Sequence, residues 1–255
     1  MKMSVKRGLE IAVLGVIFFA GAEASFAGTM TIGFSQGQVL LREADGGKIQ
    51  FARKGRSITE GETVVTGENA LAEVRPSAGL WRLGRRAVFA PGADGGGRLL
   101  AGTALAVVPT GLIWRVESSR GLVALGAGTW ILQAVDNEGL KLICLDGPAE
   151  AVALGEVKAP ASAPMRRVKL RPGELVFLLP EGKVFGPVVT IFLQELFATS
   201  RLVLDFPEEL PSARRIKNLA TAQADQLKGV TNALVGGAED AKGFQLVVPK
   251  ADKKK

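Results

Sequence analysis

The chain has 255 residues, of which 47% are hydrophobic and 22% charged, and its formal net charge is +7. This composition is typical of a folded domain rather than a disordered chain. The sequence contains no histidine and no tyrosine, and histidine is both the usual general base near neutral pH and the commonest metal ligand. Ser-His-Asp and Cys–His catalysis and histidine-containing metal sites are therefore excluded, whereas an enzyme built on paired carboxylates or on Ser-Lys stays open, and we expect no cofactor.

The N-terminal residues 1–27 have the pattern of a secretory signal peptide. Three basic residues precede an apolar run at 11–22, and Ser25 and Ala27 satisfy the small-x-small rule for cleavage. The run is shorter than the roughly 20 residues that a membrane-spanning helix needs. We therefore predict cleavage after Ala27 and export to the periplasm or cell envelope, with an uncleaved anchor as the alternative.

The single cysteine, Cys144, cannot form an intramolecular disulfide. It lies in an apolar run, so we predict a buried side chain rather than a reactive thiol. An exported chain without disulfides fits a bacterial envelope better than a eukaryotic secretory route.

Residues 31–184 consist of short β-forming stretches separated by turn residues. The first two stretches, 38–42 and 48–53, flank Asp45-Gly46-Gly47 and predict a hairpin. Further strands are predicted at 63–66, 70–75, 80–84, 87–90, 98–100, 105–108, 112–117, 122–125, 130–135, 140–145 and 149–154, with a second hairpin at 168–179. Turns at intervals of about 8 to 12 residues predict an all-β sandwich, barrel or solenoid.

Alternation within these strands predicts which side chains share a face. In 70–75, Ala70, Ala72 and Val74 face one way and the other three residues face the opposite way. The strand 130–135 alternates in the same manner, whereas 140–145 is apolar on both faces and is expected to be central. Residues 157–165 are expected to form an exposed linker.

The pattern becomes helical after residue 187. Apolar spacing predicts a helix over 189–200, an extended segment follows at 202–206, and a second helix is predicted to begin after Ser212 as its N-cap and to end at Gly236-Gly237. Docking of its apolar stripe onto its own domain is favoured over a coiled-coil partner. We therefore divide the chain into a signal peptide (1–27), a β domain (28–186), a helical C-terminal segment (187–237) and a charged, disordered tail (238–255).

Three pieces of the β region resemble FecR-type domains. The stretch GETVVTG at 61–67, followed by an alternating strand, is similar to the first half of that domain, and residues 116–152 are similar to the second half. A closing element follows at 168–178. The positions that match the family motif are Gly61, Thr66, Gly67, Gly128, Thr129, Gly147 and Gly173. Two positions depart from it, because Pro76 begins a turn that is usually Asp/Asn-Gly, and Ala127 stands where arginine is common.

The roles expected for these motif positions are structural. Gly67 and Gly128 would supply a positive φ or a close backbone approach, and Thr66 and Thr129 would hydrogen-bond the turn backbone, with a ligand role for the threonines as the alternative. The resemblance implies a β-rich envelope domain, solenoid-like or sandwich-like, that acts by protein contact. Since only seven residues precede Gly8, we expect the exported domain without the family's cytoplasmic sigma-factor-binding segment.

The sequence supports three functional hypotheses. The first is an exported, non-enzymatic interaction or scaffold module with an envelope protein partner. The second is a signalling or sensor component that relays a partner's state through a sheet edge or the helix after Ser212, with Trp81, Arg82 and Trp114 as candidate exposed contacts. Isolated tryptophans in strands are, however, more often buried. The third is a cell-wall hydrolase that uses two carboxylates. Its candidates are Glu73, Glu117, Asp136, Glu138 and Asp146, for which solvated charge is the ordinary interpretation.

Nucleic acid is not an expected partner. The basic residues are scattered, and 3 Trp with no Tyr do not provide the aromatic side chains on which bases stack. The basic charge predicts at most a weak peripheral contact with an anionic envelope surface.

Overall fold

The computed structural model describes residues 29–228, except 44–46, 60, 120, 136–138, 148, 155–165 and 180–182, together with 233–236 and 244–247. The predicted signal peptide, the predicted linker, Asp136 and Glu138 lie outside the described residues. Within the described ranges, no helix has the length and apolar character needed to cross a membrane.

The described chain is mainly β, as predicted, with a few helices near its C-terminus. The strands are β1 (Met30–Gln36), β2 (Val39–Glu43), β3 (Ile49–Phe51), β4 (Ser57–Ile58), β5 (Glu62–Thr66), β6 (Leu71–Arg75), β7 (Leu80–Leu83), β8 (Val88–Pro91), β9 (Gly97–Val108), β10 (Trp114–Ser118), β11 (Gly121–Leu125), β12 (Gly128–Val135), β13 (Gly139–Asp146), β14 (Ala149–Ala153), β15 (Arg167–Leu170), β16 (Glu174–Leu178), β17 (Val189–Thr190), β18 (Ala233–Gly236) and β19 (Phe244–Val247). The helices are α1 (Leu193–Thr199), α2 (Arg201–Leu204) and α3 (Ala213–Gln226).

Strands β1 to β17 form one continuous open sheet that has two halves joined by β9. The helix-side half has the order β4-β1-β6-β7-β9-β12-β13-β16-β17, and the open half has the order β3-β2-β5-β8-β9-β10-β11-β14-β15. Among these pairings β9–β10 is parallel and the others are antiparallel.

Gly102 lies where β9 passes from one half to the other. It pairs with Ala134 of the helix-side half, while the preceding Ala101 pairs with Val88 of the open half. Its φ is +76°, and a Cβ at this position would lie 2.6 Å from the Cα of Ala87. The sequence predicted two separate strands here. The structure has one, because glycine permits the left-handed conformation without ending the hydrogen-bonded ladder.

The two halves pack face to face in the manner of a sandwich. Their shared core contains Val74 and Trp81 from the helix-side half together with Val64 and Phe89 from the open half. Trp81 stacks on Trp114 of β10 with 5.3 Å between ring centroids. The predicted alternation of 70–75 is confirmed, because the Ala70, Ala72 and Val74 face lies in this core.

A second core lies between the helix-side half and the C-terminal helices. Leu105 and Ile131 from the sheet pack with Leu196 of α1 and with Ile216 and Ala220 of α3. Strand β13 is buried along its whole length, as predicted for 140–145. The prediction that α3 docks on its own domain is therefore confirmed, and the helix-side half is covered on both faces.

The C-terminal region differs from the prediction in three places. Residues 201–204 are helical rather than extended, since Arg82 donates hydrogen bonds to the carbonyls of Leu202 and Val203. Helix α3 ends at Gln226 rather than near residue 236, and Gly229-Val230-Thr231 just beyond it combines residues of low helix propensity. Strands β18 and β19 pair where a helix end and a disordered tail were predicted; Val235 in β18, and Phe244 and Val247 in β19, are β-forming residues.

Candidate interaction surface

Two of the family-motif positions, Thr66 and Gly67, fasten neighbouring strands to one another. The buried Thr66 hydroxyl donates to the Gly84 carbonyl at 2.6 Å and accepts from the Ala87 N–H at 2.7 Å. The Gly67 N–H donates to the Gln38 carbonyl at 2.8 Å. Gly67 does not have a positive φ, and a Cβ there would meet Gln38 at an ordinary contact distance of 3.4 Å, so the expected need for glycine does not apply at this position.

Gly128 and Thr129 join the start of β12 to the segment before α3. Gly128 has a φ of +149°, and a Cβ there would lie 2.7 Å from the Asp146 carbonyl, so glycine is required. The Thr129 and Ser212 hydroxyl oxygens are 2.7 Å apart in a buried hydrogen bond. Ser212 precedes α3 as predicted, but its side chain makes this bond instead of capping the helix.

The remaining motif glycines lie in turns at different points of the sheet. Gly61 precedes β5, Gly147 follows β13 beside Gly128, and Gly173 lies between β15 and β16. The structure therefore brings Gly128, Thr129 and Gly147 together, and it places the other motif positions elsewhere. Every hydrogen bond described for Thr66 and Thr129 holds the chain itself, which matches a structural role.

Two of the candidate catalytic carboxylates are buried in ion pairs. Glu73 lies 2.6 Å from Arg75 and 3.2 Å from Arg82, and Asp146 lies 2.6 Å from Arg215 of α3. The expectation that both would be solvated is wrong, because the C-terminal helices cover this face of the sheet. Glu117 is exposed, 3.8 Å from an arginine.

Arg82, a predicted exposed contact, is fully buried and binds the C-terminal segment. Its guanidinium donates to Glu73 and to the carbonyls of Leu202, Val203 and Glu208. It also stacks over the Phe206 ring at 4.4 Å. Burial lowers the pKa of Arg82, and the Glu73 carboxylate opposes this shift. Trp81 and Trp114 are buried in the core between the halves, as is usual for tryptophans isolated in strands, and they are not exposed contacts.

A pocket of about 270 Å³ lies beside this ion-pair network. Arg75 reaches across it from Glu73 to Glu208, at 2.6 Å and 2.5 Å. Hydrogen bonds to Glu208 and Glu73 raise the pKa of Arg75, and the bond to Arg75 lowers the pKa of Glu208. The two arginines and the two glutamates neutralise one another, and their contacts join the sheet to the C-terminal segment. Across the described ranges, no group of three or more His, Cys, Asp or Glu residues could hold a metal ion.

The open half has an outer face, turned away from the shared core, that carries an apolar row. Phe51 lies opposite Leu40, Leu40 opposite Val65, and Val65 opposite Val88, so the row crosses β3, β2, β5 and β8 in register. Phe51 is 67% exposed, and its neighbour Ile49 on the same edge strand is 59% exposed. Cross-strand neighbours on one face contact one another, so these side chains form a continuous apolar strip.

The same outer face carries most of its charge as arginine. Its outward-pointing charged residues are Arg42, Arg98, Arg115, Glu117, Glu150, Arg167 and Lys169. The three helices pack against the other half of the sheet, and the side chains of this face remain exposed or half-buried. We take this outer face as the candidate interaction surface.

Comparisons with protein-family models, curated proteins and solved structures gave no match for this chain. The FecR-type resemblance therefore stays a prediction. The sequence analysis did not identify the outer face. The available signal was an apolar residue among polar outward positions: Leu40 stands between Gln38 and Arg42, and Val65 follows Thr63.

Proposed function

We propose that this protein is an exported, non-enzymatic interaction module of the cell envelope, similar to FecR-type domains, and that its outer face binds a protein partner. The observation that carries the proposal is the outer face, whose side chains are exposed or half-buried in the part of the chain that the structure describes, with its in-register apolar row. Nine strands at about 4.8 Å spacing make this face roughly 38 Å wide. That width is enough for a standard interface of about 800 Å² per partner.

The environment of the candidate carboxylates supports a non-enzymatic role. Glu73 is held by two arginines and Asp146 by one. A glycosidase needs one carboxylate as a proton donor and a second one facing it across a substrate cleft. Glu73 and Asp146 are buried and form ion pairs with arginines of their own chain, so they do not face each other across a substrate cleft as a proton donor and a second carboxylate would.

The packing of α3 bears on the sensor hypothesis. A relay in which this helix inserts into another protein loses support, since Ile216 and Ala220 are buried against the sheet of the same chain. A sensor that works through the outer face is compatible with the proposal, because binding of a partner there would be its first step.

Photo-cross-linking in intact cells tests the proposal. A photo-reactive amino acid replaces Val65 on the outer face or, as the control, the exposed Asn218 on α3. We expect envelope-fraction adducts with a discrete protein from position 65 and far fewer from position 218. We also expect the purified protein to leave peptidoglycan and glycan substrates intact. Adducts from position 218 alone, recovery from the cytosol alone, or substrate turnover would each overturn the proposal.

A further inference from the structure

We infer that the partner of the outer face presents an acidic surface, whose carboxylates pair with Arg42, Arg115 and Lys169. This inference rests on the proposed function, because it names the chemistry of the protein that binds the same face. It follows from the charges, their spacing and their apolar neighbours.

The outer face has more cations than its own carboxylates can neutralise. Glu117 lies 3.8 Å from Arg98, and Glu150 lies 2.7 Å from Arg167. Arg42, Arg115 and Lys169 are exposed, and among the described residues none of them forms an ion pair with a carboxylate. These three cations therefore remain available to a partner, although Lys169 lies opposite Glu150, whose carboxylate pairs with Arg167.

The spacing of the free cations favours separate carboxylates over a diffuse anionic surface. Arg42 on β2 and Arg115 on β10 are four strand spacings apart, and Lys169 on β15 is three spacings further along the sheet. At about 4.8 Å per spacing these separations are roughly 19 Å and 14 Å, longer than the Debye length of about 8 Å at physiological ionic strength. Lipid-binding segments instead concentrate 4–8 basic residues in one cluster. Each cation here therefore needs its own counter-charge.

The residue types also favour a protein partner. Among the described residues, four of the five outward cations are arginines, Lys169 being the exception. A guanidinium binds a carboxylate through two parallel hydrogen bonds, and arginine is enriched in protein interfaces whereas lysine is depleted. Lysine would serve equally well if only net positive charge mattered.

Apolar side chains lie directly beside the free arginines. Ile49 is the cross-strand partner of Arg42, and Ala124 is that of Arg115, with Val152 next in the same row. When an acidic side chain of the partner pairs with one of these guanidinium groups, the apolar neighbours would also contact the partner and exclude water from the ion pair. A partner that combines apolar contacts with spaced Asp or Glu residues matches this arrangement.

Charge reversal tests the inference. A photo-reactive amino acid replaces Thr63, the cross-strand neighbour of Arg42, and adduct yield is measured in intact cells. We compare R42E/R115E/K169E with K54E/R171E/R214E, which makes the same change in net charge at exposed positions off the outer face. We expect the first variant to lower the yield at least about tenfold and the control to stay within about twofold. If R42E/R115E/K169E lowers the melting temperature, the neutral variant R42Q/R115Q/K169Q replaces it. For the neutral variant we expect an intermediate loss of adduct yield.

Each alternative occupant gives a different result. A protein adduct whose yield does not respond to the outer-face reversal overturns this inference and leaves the proposed function standing. If the protein without charge reversal gives no protein adduct from position 63, that result counts against the proposed function itself. An adduct with a second copy of the chain overturns the inference of an acidic partner. The inference is also overturned if no protein adduct forms and the purified protein binds phosphatidylglycerol vesicles in a way that the outer-face reversal abolishes.

Discussion

Arg82 joins the sheet to the C-terminal helices through a single buried side chain. Replacing it with methionine keeps the apolar stem but leaves the Glu73 carboxylate without this counter-charge and the carbonyls of Leu202 and Val203 without donors. Removing one partner of a buried ion pair costs about 3–5 kcal/mol, and we expect the free energy of unfolding in urea to fall by that amount. The control is Arg201→Ala, which removes a partly exposed pair worth about 0.5 kcal/mol or less. Equal effects of the two substitutions would contradict the anchoring role of Arg82.

Gly102 lies within β9 and Gly67 lies between β5 and β6, and the structure predicts opposite tolerance to alanine at the two positions. At position 102 the positive φ and the 2.6 Å approach to Ala87 oppose any side chain, and we expect Gly102→Ala to lower stability by about 2 kcal/mol or more. Gly67→Ala should change stability by less than about 1 kcal/mol, since neither constraint applies there. Melting temperatures of the two variants check this order, and a more damaging change at Gly67 would refute it.

Cys144 provides a test of burial that depends on pH. Burial raises the pKa of its thiol from 9.0 to about 12, so the group stays protonated and unreactive at pH 8. We expect a thiol reagent to label the protein in denaturant but not in the folded state. Because the folded-state pKa is the higher one, the neutral thiol stabilises the fold below about pH 9, and that contribution is lost as the pH rises towards 12. Rapid labelling of the folded protein would show that β13 is not central.

Helix α3 is part of the folded core. Ile216 is fully buried against the sheet, while Asn218 two residues later is exposed. Ile216→Ala should lower the free energy of unfolding by about 2–5 kcal/mol, and Asn218→Ala should change it by about 0.5 kcal/mol or less. Urea denaturation of both variants measures the difference. If Ile216→Ala were neutral, α3 would be an appended helix available to a partner.

The strands were predictable because alternation and turn residues act locally. The faces of 70–75 and 130–135, the antiparallel pairing of β2 with β3 and the central position of β13 all follow from patterns within a few residues. Ser212 shows the limit of such reasoning. A serine before a helix predicts a cap, but the Thr129 hydroxyl, 83 positions away in the chain, takes its hydrogen bond instead.

The arrangement of the whole molecule was not predictable, since it depends on contacts between distant segments. Nothing local marks β9 as the strand shared by two halves, or distinguishes the buried Glu73 from the exposed Glu117. Burial of Arg82 likewise depends on α2, which lies about 120 residues later. The outer face is exposed because the C-terminal helices pack against the other half of the sheet, and that choice of side depends on long-range contacts.

The central claim is that one surface of the molecule is used by its own C-terminal helices and the outer face by a partner. Side-chain footprinting of Phe51 and Leu204, in intact cells and in the purified protein, tests it most directly. Both are exposed, at 67% and 54%, but Phe51 lies on the outer face and Leu204 on α2. We predict that labelling of Phe51 drops several-fold in cells and that labelling of Leu204 does not change. Equal labelling of Phe51 in both settings, or protection of Leu204 alone, would contradict the account.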